Sequence, residues 1–198
     1  HVPGPRTTPE PLTLEGLRDR AHVFVDGVPV GVLERDGIDH IPLTTPADGA
    51  EVMLIVEAMG RVNYGPLLGE RKGVTGSVRH GAQYQHGWQI DPLALTALSA
   101  ESLPWDQSGD VPGPAFHRGS LHVDEPRDGF LELPAGIKGY VWINGFCLGR
   151  YWDRGPQRRL YLPWPLLHSG SNEIVVLELD ADGDIGPLLV RSVPDLGR

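Results

Sequence analysis

The segment at residues 60–65 begins and ends with glycine and carries side chains suited to holding a ligand. Asn63 and Tyr64 lie in a loop that follows an apolar run, with Arg61 just before them. Such a loop can present an amide for hydrogen bonding and an aromatic ring for stacking to a sugar, without doing any bond chemistry itself. The alternative interpretation is structural: Arg61 and Asn63 would tie the loop to neighbouring backbone.

A second cluster of aromatic and polar side chains surrounds the dipeptide Asn144-Gly145. Its members are Trp142, Asn144, Arg150, Tyr151 and Trp152. Aromatic faces with arginine or asparagine neighbours suit stacking on sugar C–H groups and bonding to hydroxyls. At alternate strand positions, however, Trp142 and Trp152 are more simply explained as core or domain-interface residues. Both interpretations stay open on the sequence alone.

Carboxylates are numerous, but their positions do not indicate catalysis or metal binding. Asp26 belongs to a turn, while Glu57 and Glu178 end apolar strands, where ion pairing with arginine is the commoner use. The acidic run at residues 180–184 imitates the start of a calcium loop, but Arg191 stands where a bidentate glutamate is needed. We therefore expect no catalytic residue, no metal and no cofactor in this chain.

Two hairpins are expected to position these side chains. Asp26-Gly27 and Asn144-Gly145 each separate two β-rich runs, and both dipeptides are preferred in type I′ turns, which need positive φ at both central residues. In each copy another glycine follows four residues later, at Gly31 and Gly149. A glycine within a strand predicts a β-bulge or a close backbone approach.

An apolar strand follows each hairpin, at residues 50–57 and 171–178. The two hairpins are 118 residues apart and the two strands 121, so the second copy has the longer connection. Nearly continuous apolar runs predict strands that are covered on both faces. A hairpin, a second glycine and an apolar strand in the same order predict two copies of one β-sandwich unit.

Turn residues concentrate at 104–115, which predicts a linker there. We expect a first jelly-roll domain at 1–103 and a second at 116–198, with the first and last strands as candidates for exchange between domains. Short strands separated by frequent turns predict an all-β fold of two tandem jelly-roll β-sandwiches.

Charge and cysteine content bear on partners and compartment. The net charge is −9 and the lysines and arginines are not clustered, so neither nucleic acid nor an anionic membrane is expected as a partner. A single cysteine, Cys147, excludes an internal disulfide. The compartment stays open, with a cytoplasmic location slightly favoured over a secreted one.

Several sequence runs, in one order, cover nearly the whole chain. They are L-R-D-R-A-H-V-F-V-D-G at 17–27, G-R-V-N-Y-G at 60–65 with Lys72-Gly73, K-G-Y-V-W-I-N-G-F-C-L-G-R-Y-W at 138–152, G-P-Q at 155–157 and L-Y-L-P at 160–163. Together they resemble the C-terminal β domains of glycoside hydrolase family 35, the β-galactosidases, whose repeat unit is similar to galactose-binding-like jelly rolls. Cys147 departs from the family pattern, which usually has asparagine there.

The resemblance implies a partner in the same polypeptide, a (β/α)₈ barrel that carries both catalytic glutamates of the family. Such a barrel needs about 250 residues in alternating strands and helices, and this sequence has neither. The resemblance also implies that Tyr64 lies near the cleft of that barrel, where terminal β-galactosyl residues are hydrolysed with retention. We therefore expect a non-catalytic module that shapes the cleft. The alternatives are an independent galactoside-binding module that uses the aromatic hairpin, and a hydrolase active on its own.

Overall fold

The computed structural model describes residues 1–105, 113–180 and 185–197. Over these ranges the chain forms β-strands and three short 3₁₀ helices, with no α-helix. Contacts divide the chain into two compact units, His1–Asp91 and Pro92–Arg198. The predicted all-β fold class is confirmed. In the described ranges, no helix has the length and apolar character needed to span a membrane.

The first unit is a sandwich of antiparallel sheets. Its strands are β1 (Arg6–Leu14), β2 (Leu17–Arg18), β3 (Arg20–Val25), β4 (Val28–Glu34), β5 (His40–Thr45), β6 (Val52–Glu57), β7 (Gly73–Val74), β8 (Val78–His80) and β9 (Gln83–Tyr84). One sheet has the order β5-β1-β8-β9, another the order β4-β3-β6, and β2 pairs with β7. Leu12 and Leu14 of β1 pack with Ala21 and Val23 of β3 in one buried cluster, which holds the two larger sheets together.

The second unit repeats this architecture. Its elements are η1 (Leu95–Ala97), η2 (Ala100–Ser102), β10 (Ala115–Val123), β11 (Gly129–Glu132), β12 (Lys138–Ile143), β13 (Phe146–Trp152), β14 (Arg159–Leu162), η3 (Trp164–Leu166), β15 (Gly170–Glu178) and β16 (Leu189–Arg191). The sheets β10-β15-β12-β13 and β14-β11-β16 enclose a core that includes Val141, Ile143, Leu131 and Leu162.

The hairpins form as their turn dipeptides predict. Asp26 and Gly27 have φ values of 49° and 79°, and Asn144 and Gly145 have φ values of 47° and 82°. Positive φ at both central residues is the signature of a type I′ turn. In both hairpins the ladder register also shifts by one residue, between β3 and β4 and between β12 and β13. The predicted bulges are therefore confirmed.

The late strands correct the predicted repeat in one respect. Phe24 and Trp142 occupy the same place in their hairpins, and their partners on the late strands are Met53 and Val175. These partners are 122 residues apart, so the predicted offset of 121 is wrong by one. Because side chains alternate along a strand, a slip of one residue exchanges the two faces of the sheet. Glu57 and Glu178 are therefore not equivalent residues.

Coverage of the late strands also differs between the units. Val175 of β15 is 3% exposed, as predicted for a strand covered on both faces. Met53 of β6 is 51% exposed, so the same prediction is wrong for the first copy. In the second unit, Leu95, Leu98 and Trp105 pack on the outer sheet face beside Val175 and form a second apolar layer.

That outer layer bears on the predicted domain limits. Residues 92–105, which the sequence analysis placed mostly in the first domain, group with the second unit. Residues 106–112 of the predicted linker lie outside the described ranges. Strand β1 pairs with β5 and β8, and β16 pairs with β11, so each of these strands pairs within its own unit. The limits 1–103, 104–115 and 116–198 remain a prediction.

Candidate functional site

The loop between β6 and β7, residues 58–72, contains the first group of predicted site residues and is called the Tyr64 loop here. It leaves β6 through two residues with left-handed backbone, Met59 at φ 49° and Gly60 at φ 92°. A turn then forms in which the amide of Leu68 donates to the carbonyl of Gly65 at 3.2 Å. The segment between Gly60 and Gly65 lies outside the strands, between these two backbone features.

The side chains of this segment face solvent. Tyr64 is 88% exposed, and Arg61 and Asn63 are exposed as well. Within the described part of the chain, none of the three side chains makes a hydrogen bond or an ion pair. The structural interpretation expects Arg61 and Asn63 to bond to neighbouring backbone. Among the described residues, neither side chain makes such a bond. The side chains of Arg61, Asn63 and Tyr64 are therefore available to contact a ligand or another domain.

A network of charged side chains holds the far end of the loop, and we call it the Asp19 network. Its members are Arg18, Asp19, Arg35, Glu70 and Lys72. Lys72 Nζ lies 2.7 Å from Asp19 Oδ2 and 3.0 Å from Glu70 Oε1. Arg35 contacts Asp19 Oδ1 at 3.0 Å and also pairs with Glu70. Each carboxylate thus contacts at least two cations.

The Asp19 network anchors the Tyr64 loop to the first hairpin, because its charged groups are largely withdrawn from water. Asp19 is buried between β2 and β3, and Arg35 directly follows β4. Ion pairs in such a setting are screened less than exposed pairs, and losing one partner leaves a charge uncompensated. Glu70 and Lys72 thereby join the loop to the first hairpin. Sequence reasoning missed this group, although Asp19 and Lys72 both lie within the motif runs at 17–27 and 72–73.

The anchor perturbs the ionisation of its members. A hydrogen bond from Arg35, followed by one from Lys72, lowers the pKa of Glu70 from 4.5 to about 2. The hydrogen bond to Asp19 raises the pKa of Lys72, and the one to Glu70 raises the pKa of Arg35. All three shifts favour the charged forms of Glu70, Lys72 and Arg35.

A pH titration should detect this anchor. Because the folded pKa of Glu70 is depressed, its contribution to stability is present above about pH 4.5 and is lost as the pH falls towards 2. We expect the carboxyl carbon of Glu70 to titrate in NMR with a midpoint near 2, and Arg35→Met to move that midpoint upward. A midpoint at the ordinary glutamate value in the folded chain would contradict the anchor.

The second predicted group does not form one site. Trp142 and Tyr151 are both buried, but they lie on opposite faces of the β12–β13 ribbon, Trp142 in the outer apolar layer and Tyr151 in the sandwich core. The Tyr151 hydroxyl donates to Glu178 Oε2 at 2.6 Å. Burial, and then this bond to Glu178, raises the pKa of Tyr151. In the described structure, both rings serve packing.

The Asn144 amide is also occupied. Its Nδ2 donates to the carbonyl of Leu166 and to Asn172 Oδ1, each at 2.8 Å, and its Oδ1 accepts from the Glu173 amide at 2.9 Å. These bonds join the hairpin turn to β15 and to the segment before it. A sugar hydroxyl would have to displace one of them.

Trp152 lies at the end of β13 among cations. The charged groups of Lys138, Arg150 and Arg154 lie 4.9, 5.4 and 4.9 Å from its ring centroid. Cation–π contacts of this length are favourable and occupy the ring faces on which a sugar would stack. Sugar contacts by Trp152 and the exposed Arg150 stay a prediction.

In the ranges that the structure describes, no group of three or more His, Cys, Asp or Glu residues could hold a metal ion. Residues 181–184 of the calcium-like run lie outside those ranges.

The two units define the class of this protein as all-β, with two consecutive β-sandwich domains. Two family models match the chain: the first all-beta domain of beta-galactosidase over residues 1–94, and the galactose-binding domain of beta-galactosidase over residues 114–172. The chain therefore belongs to the β-galactosidase family, as the motif runs indicated.

Curated relatives agree with this assignment. The beta-galactosidase of Canis lupus familiaris is 39% identical over 94% of this chain and 31% of its own length. The human beta-galactosidase is 39% identical over 90% of this chain and 30% of its own length. That of Xanthomonas manihotis is 40% identical over 81% of this chain and 27% of its own length. The chain thus spans about 30% of the length of the relatives that it matches.

Proposed function

We propose that this chain is the non-catalytic β portion of a β-galactosidase that hydrolyses terminal β-galactosyl residues with retention. In this proposal the chain packs on a (β/α)₈ catalytic barrel of the same polypeptide, and the Tyr64 loop forms part of the rim of its cleft. The observation that carries the proposal is the contrast within that loop. Its base is held by the Asp19 network, while Tyr64 at its tip is exposed and makes no hydrogen bond to any residue that the structure describes.

A loop that contributes to a site on another domain needs both an anchored base and an exposed side chain. Holding the base of a loop in position before binding lowers the entropic cost of ordering that loop. An exposed tyrosine can then offer its ring to a sugar and its hydroxyl to a hydrogen bond. Met53, exposed on the outer face of β6, adds apolar surface to the same unit that a partner domain could cover.

The carboxylates of the chain support a non-catalytic role. Retaining hydrolysis uses two carboxyl groups about 5–5.5 Å apart in a sugar-sized pocket. Asp19 and Glu70 share their oxygens with Arg35 and Lys72, and Glu178 is buried against Tyr151. These groups are engaged in holding the fold.

The isolated chain should therefore be inactive. We expect no hydrolysis of 4-nitrophenyl β-D-galactoside above the buffer rate when the purified chain is incubated with it. The control is a complete β-galactosidase at the same molar concentration. Turnover by the chain that persists through further purification would overturn the non-catalytic assignment.

The rim role has a kinetic test in the complete enzyme that the proposal requires. Tyr64→Ala should lower kcat/KM for a β-galactoside about 3- to 10-fold, the size expected for one aromatic contact. The matched control is Tyr84→Ala, which truncates another exposed tyrosine of the same unit and should leave kcat/KM unchanged. Equal effects of the two variants would contradict the rim role.

A further inference from the structure

The outer face of the β14-β11-β16 sheet carries an arrangement that neither predicted group contains. Leu131, Leu160 and Leu162 point into the core, so their neighbours along the strands point outward. Strand pairing places the outward residues in two adjacent rows, which are Tyr161–Phe130–Arg191 and Arg159–Glu132–Leu189. One row is mainly aromatic and the other mainly ionic.

The aromatic part is open to solvent. Tyr161 is 49% exposed, and Trp164, which begins η3 just after β14, is 56% exposed. The rings of Phe130 and Tyr161 are 5.7 Å apart between centroids and inclined at 49°. Phe130 therefore supports Tyr161 from one side and leaves the rest of its ring accessible.

One carboxylate, that of Asp128, bonds to both exposed aromatic residues, to the backbone of Trp164 and to the side chain of Tyr161. Its Oδ1 accepts a hydrogen bond from the Trp164 amide at 2.9 Å. The Tyr161 hydroxyl also bonds to Asp128, which raises the pKa of Tyr161. Rigid aromatic side chains lose little conformational entropy on binding, and this favours stacking on them.

The ionic row supplies polar groups next to the rings. Glu132 Oε2 accepts from Arg191 Nε at 2.7 Å and from Arg159 Nε at 3.2 Å. The bond from Arg191, the larger of these effects, lowers the pKa of Glu132. Both guanidinium groups keep further N–H donors. With Asp128 included, two carboxylates face two guanidinium groups, so the surface has no net charge.

We propose that this surface, which we call the Tyr161 platform (Asp128, Phe130, Glu132, Arg159, Tyr161, Trp164 and Arg191), binds an uncharged pyranose sugar. The C–H face of the sugar stacks on Tyr161 and Trp164, and its hydroxyls bond to Asp128 and Arg191. Aromatic rings beside a few polar groups are what a sugar, with one apolar face and a polar edge, requires. Charge balance favours a neutral sugar over an acidic one.

This inference does not depend on the cleft-rim role, because the platform belongs to the second unit and the Tyr64 loop to the first. It also differs from the predicted sugar contacts at the aromatic hairpin. Of those residues, Trp142 and Tyr151 are buried and Asn144 is hydrogen-bonded within the fold. The exposed rings of Tyr161 and Trp164 belong to β14 and to η3 after it, and β14 lies in another sheet.

NMR titration of the ¹⁵N-labelled chain with lactose tests the platform. Binding in the millimolar range is expected, as for a single shallow site, and saturation would then be approached at about 50 mM lactose. The indole N–H of Trp164 and the amides of β11 and β14 should shift, while the amides of the Tyr64 loop should not. Cellobiose and 6′-sialyllactose, as a second neutral and an acidic probe, measure selectivity, and preferential binding of the acidic probe would overturn the neutral-sugar assignment.

Variants locate the binding surface. Trp164→Ala and Tyr161→Ala should each weaken lactose binding at least about 5-fold, and Tyr161→Phe, which removes the bond to Asp128, should weaken it less. Phe146→Ala is the matched control, since Phe146 is exposed on the hairpin of the same unit. Retained amide dispersion shows that each variant is folded. Absence of shifts with both neutral sugars, or equal weakening by Phe146→Ala, would overturn the proposal.

Discussion

Glu178→Ala is expected to lower the free energy of unfolding of the second unit by about 3–5 kcal/mol, the largest effect expected of any substitution considered. The carboxylate is almost fully buried on the core face of β15. It accepts from the Tyr151 hydroxyl at 2.6 Å and from the amides of Ile137, Lys138 and Asp180 at 3.0, 3.1 and 2.8 Å. Alanine would leave all four donors without this acceptor, and buried unpaired donors are costly.

Two other variants show whether the lost bonds cause the effect. Glu178→Gln keeps one oxygen acceptor but turns an amide N–H₂ towards part of the donor set, so an intermediate loss of about 2 kcal/mol is expected. Glu173→Ala removes a carboxylate from the same strand whose pairing with Arg118 is partly exposed, and less than about 1 kcal/mol should be lost.

Urea unfolding provides the measurement. The indole N–H signal of Trp142, which is buried on the other face of the same sheet, reports the second unit in NMR spectra recorded along the urea series. The variants should lower the urea midpoint in the order Ala, Gln, then the Glu173 control. A Glu178→Ala chain as stable as the control would mean that the donors find other partners, and would contradict the role given to Glu178.

Features set by local chemistry were predictable from the sequence. Asp26-Gly27 and Asn144-Gly145 adopt the positive φ values that their residue types favour, whatever surrounds them. Each second glycine marked a bulge for a similar reason, since the distortion belongs to a few consecutive residues. The doubled hairpin therefore indicated the doubled β-sandwich.

Features set by distant parts of the chain were not predictable in the same way. Met53 and Val175 both lie in apolar strands. The outer sheet face around Val175 is covered by the segment that carries Leu95 and Trp105, whereas Met53 is exposed. The Asp19 network likewise joins residues up to 54 positions apart, from Arg18 to Lys72. No short sequence pattern encodes such a meeting.

The sugar-binding candidates show a third case, in which the alternation of residues along the strands indicates which side chains share a face. Tyr151 and Trp152 are neighbours on one strand, so alternation alone puts them on opposite faces and excludes a shared site. The run R-L-Y-L at 159–162 alternates polar or aromatic residues with leucine, and in G-F-L-E at 129–132 Phe130 and Glu132 alternate with Gly129 and Leu131. Their alternation predicts one buried and one exposed face, and the exposed face is the Tyr161 platform.

Asp19→Ala is expected to destabilise the first unit by about 2–4 kcal/mol and to release the base of the Tyr64 loop. Lys72 Nζ lies 2.7 Å from the Asp19 carboxylate and Arg35 Nε lies 3.0 Å from it. The substitution removes this carboxylate while both cations stay largely withdrawn from water. Asp48→Ala, which removes an exposed carboxylate of the same unit, should change stability by less than about 0.5 kcal/mol. Urea unfolding followed by the indole N–H signal of Trp88 in NMR measures both variants.

Hydrogen exchange separates the anchoring role from simple loss of stability. If the network anchors the loop, the amides of residues 58–72 should exchange faster in Asp19→Ala, beyond the change caused by global unfolding. Unchanged exchange in the loop would contradict the anchor.

The double variant Asp19→Asn with Lys72→Met is expected to recover part of the lost stability, because it removes a buried cation together with its partner carboxylate. It should not recover slow exchange in the loop, since the Asp19–Lys72 link is still missing. Stability and loop order would then respond differently to the same pair of residues, as expected if the network positions Tyr64 in addition to supporting the fold.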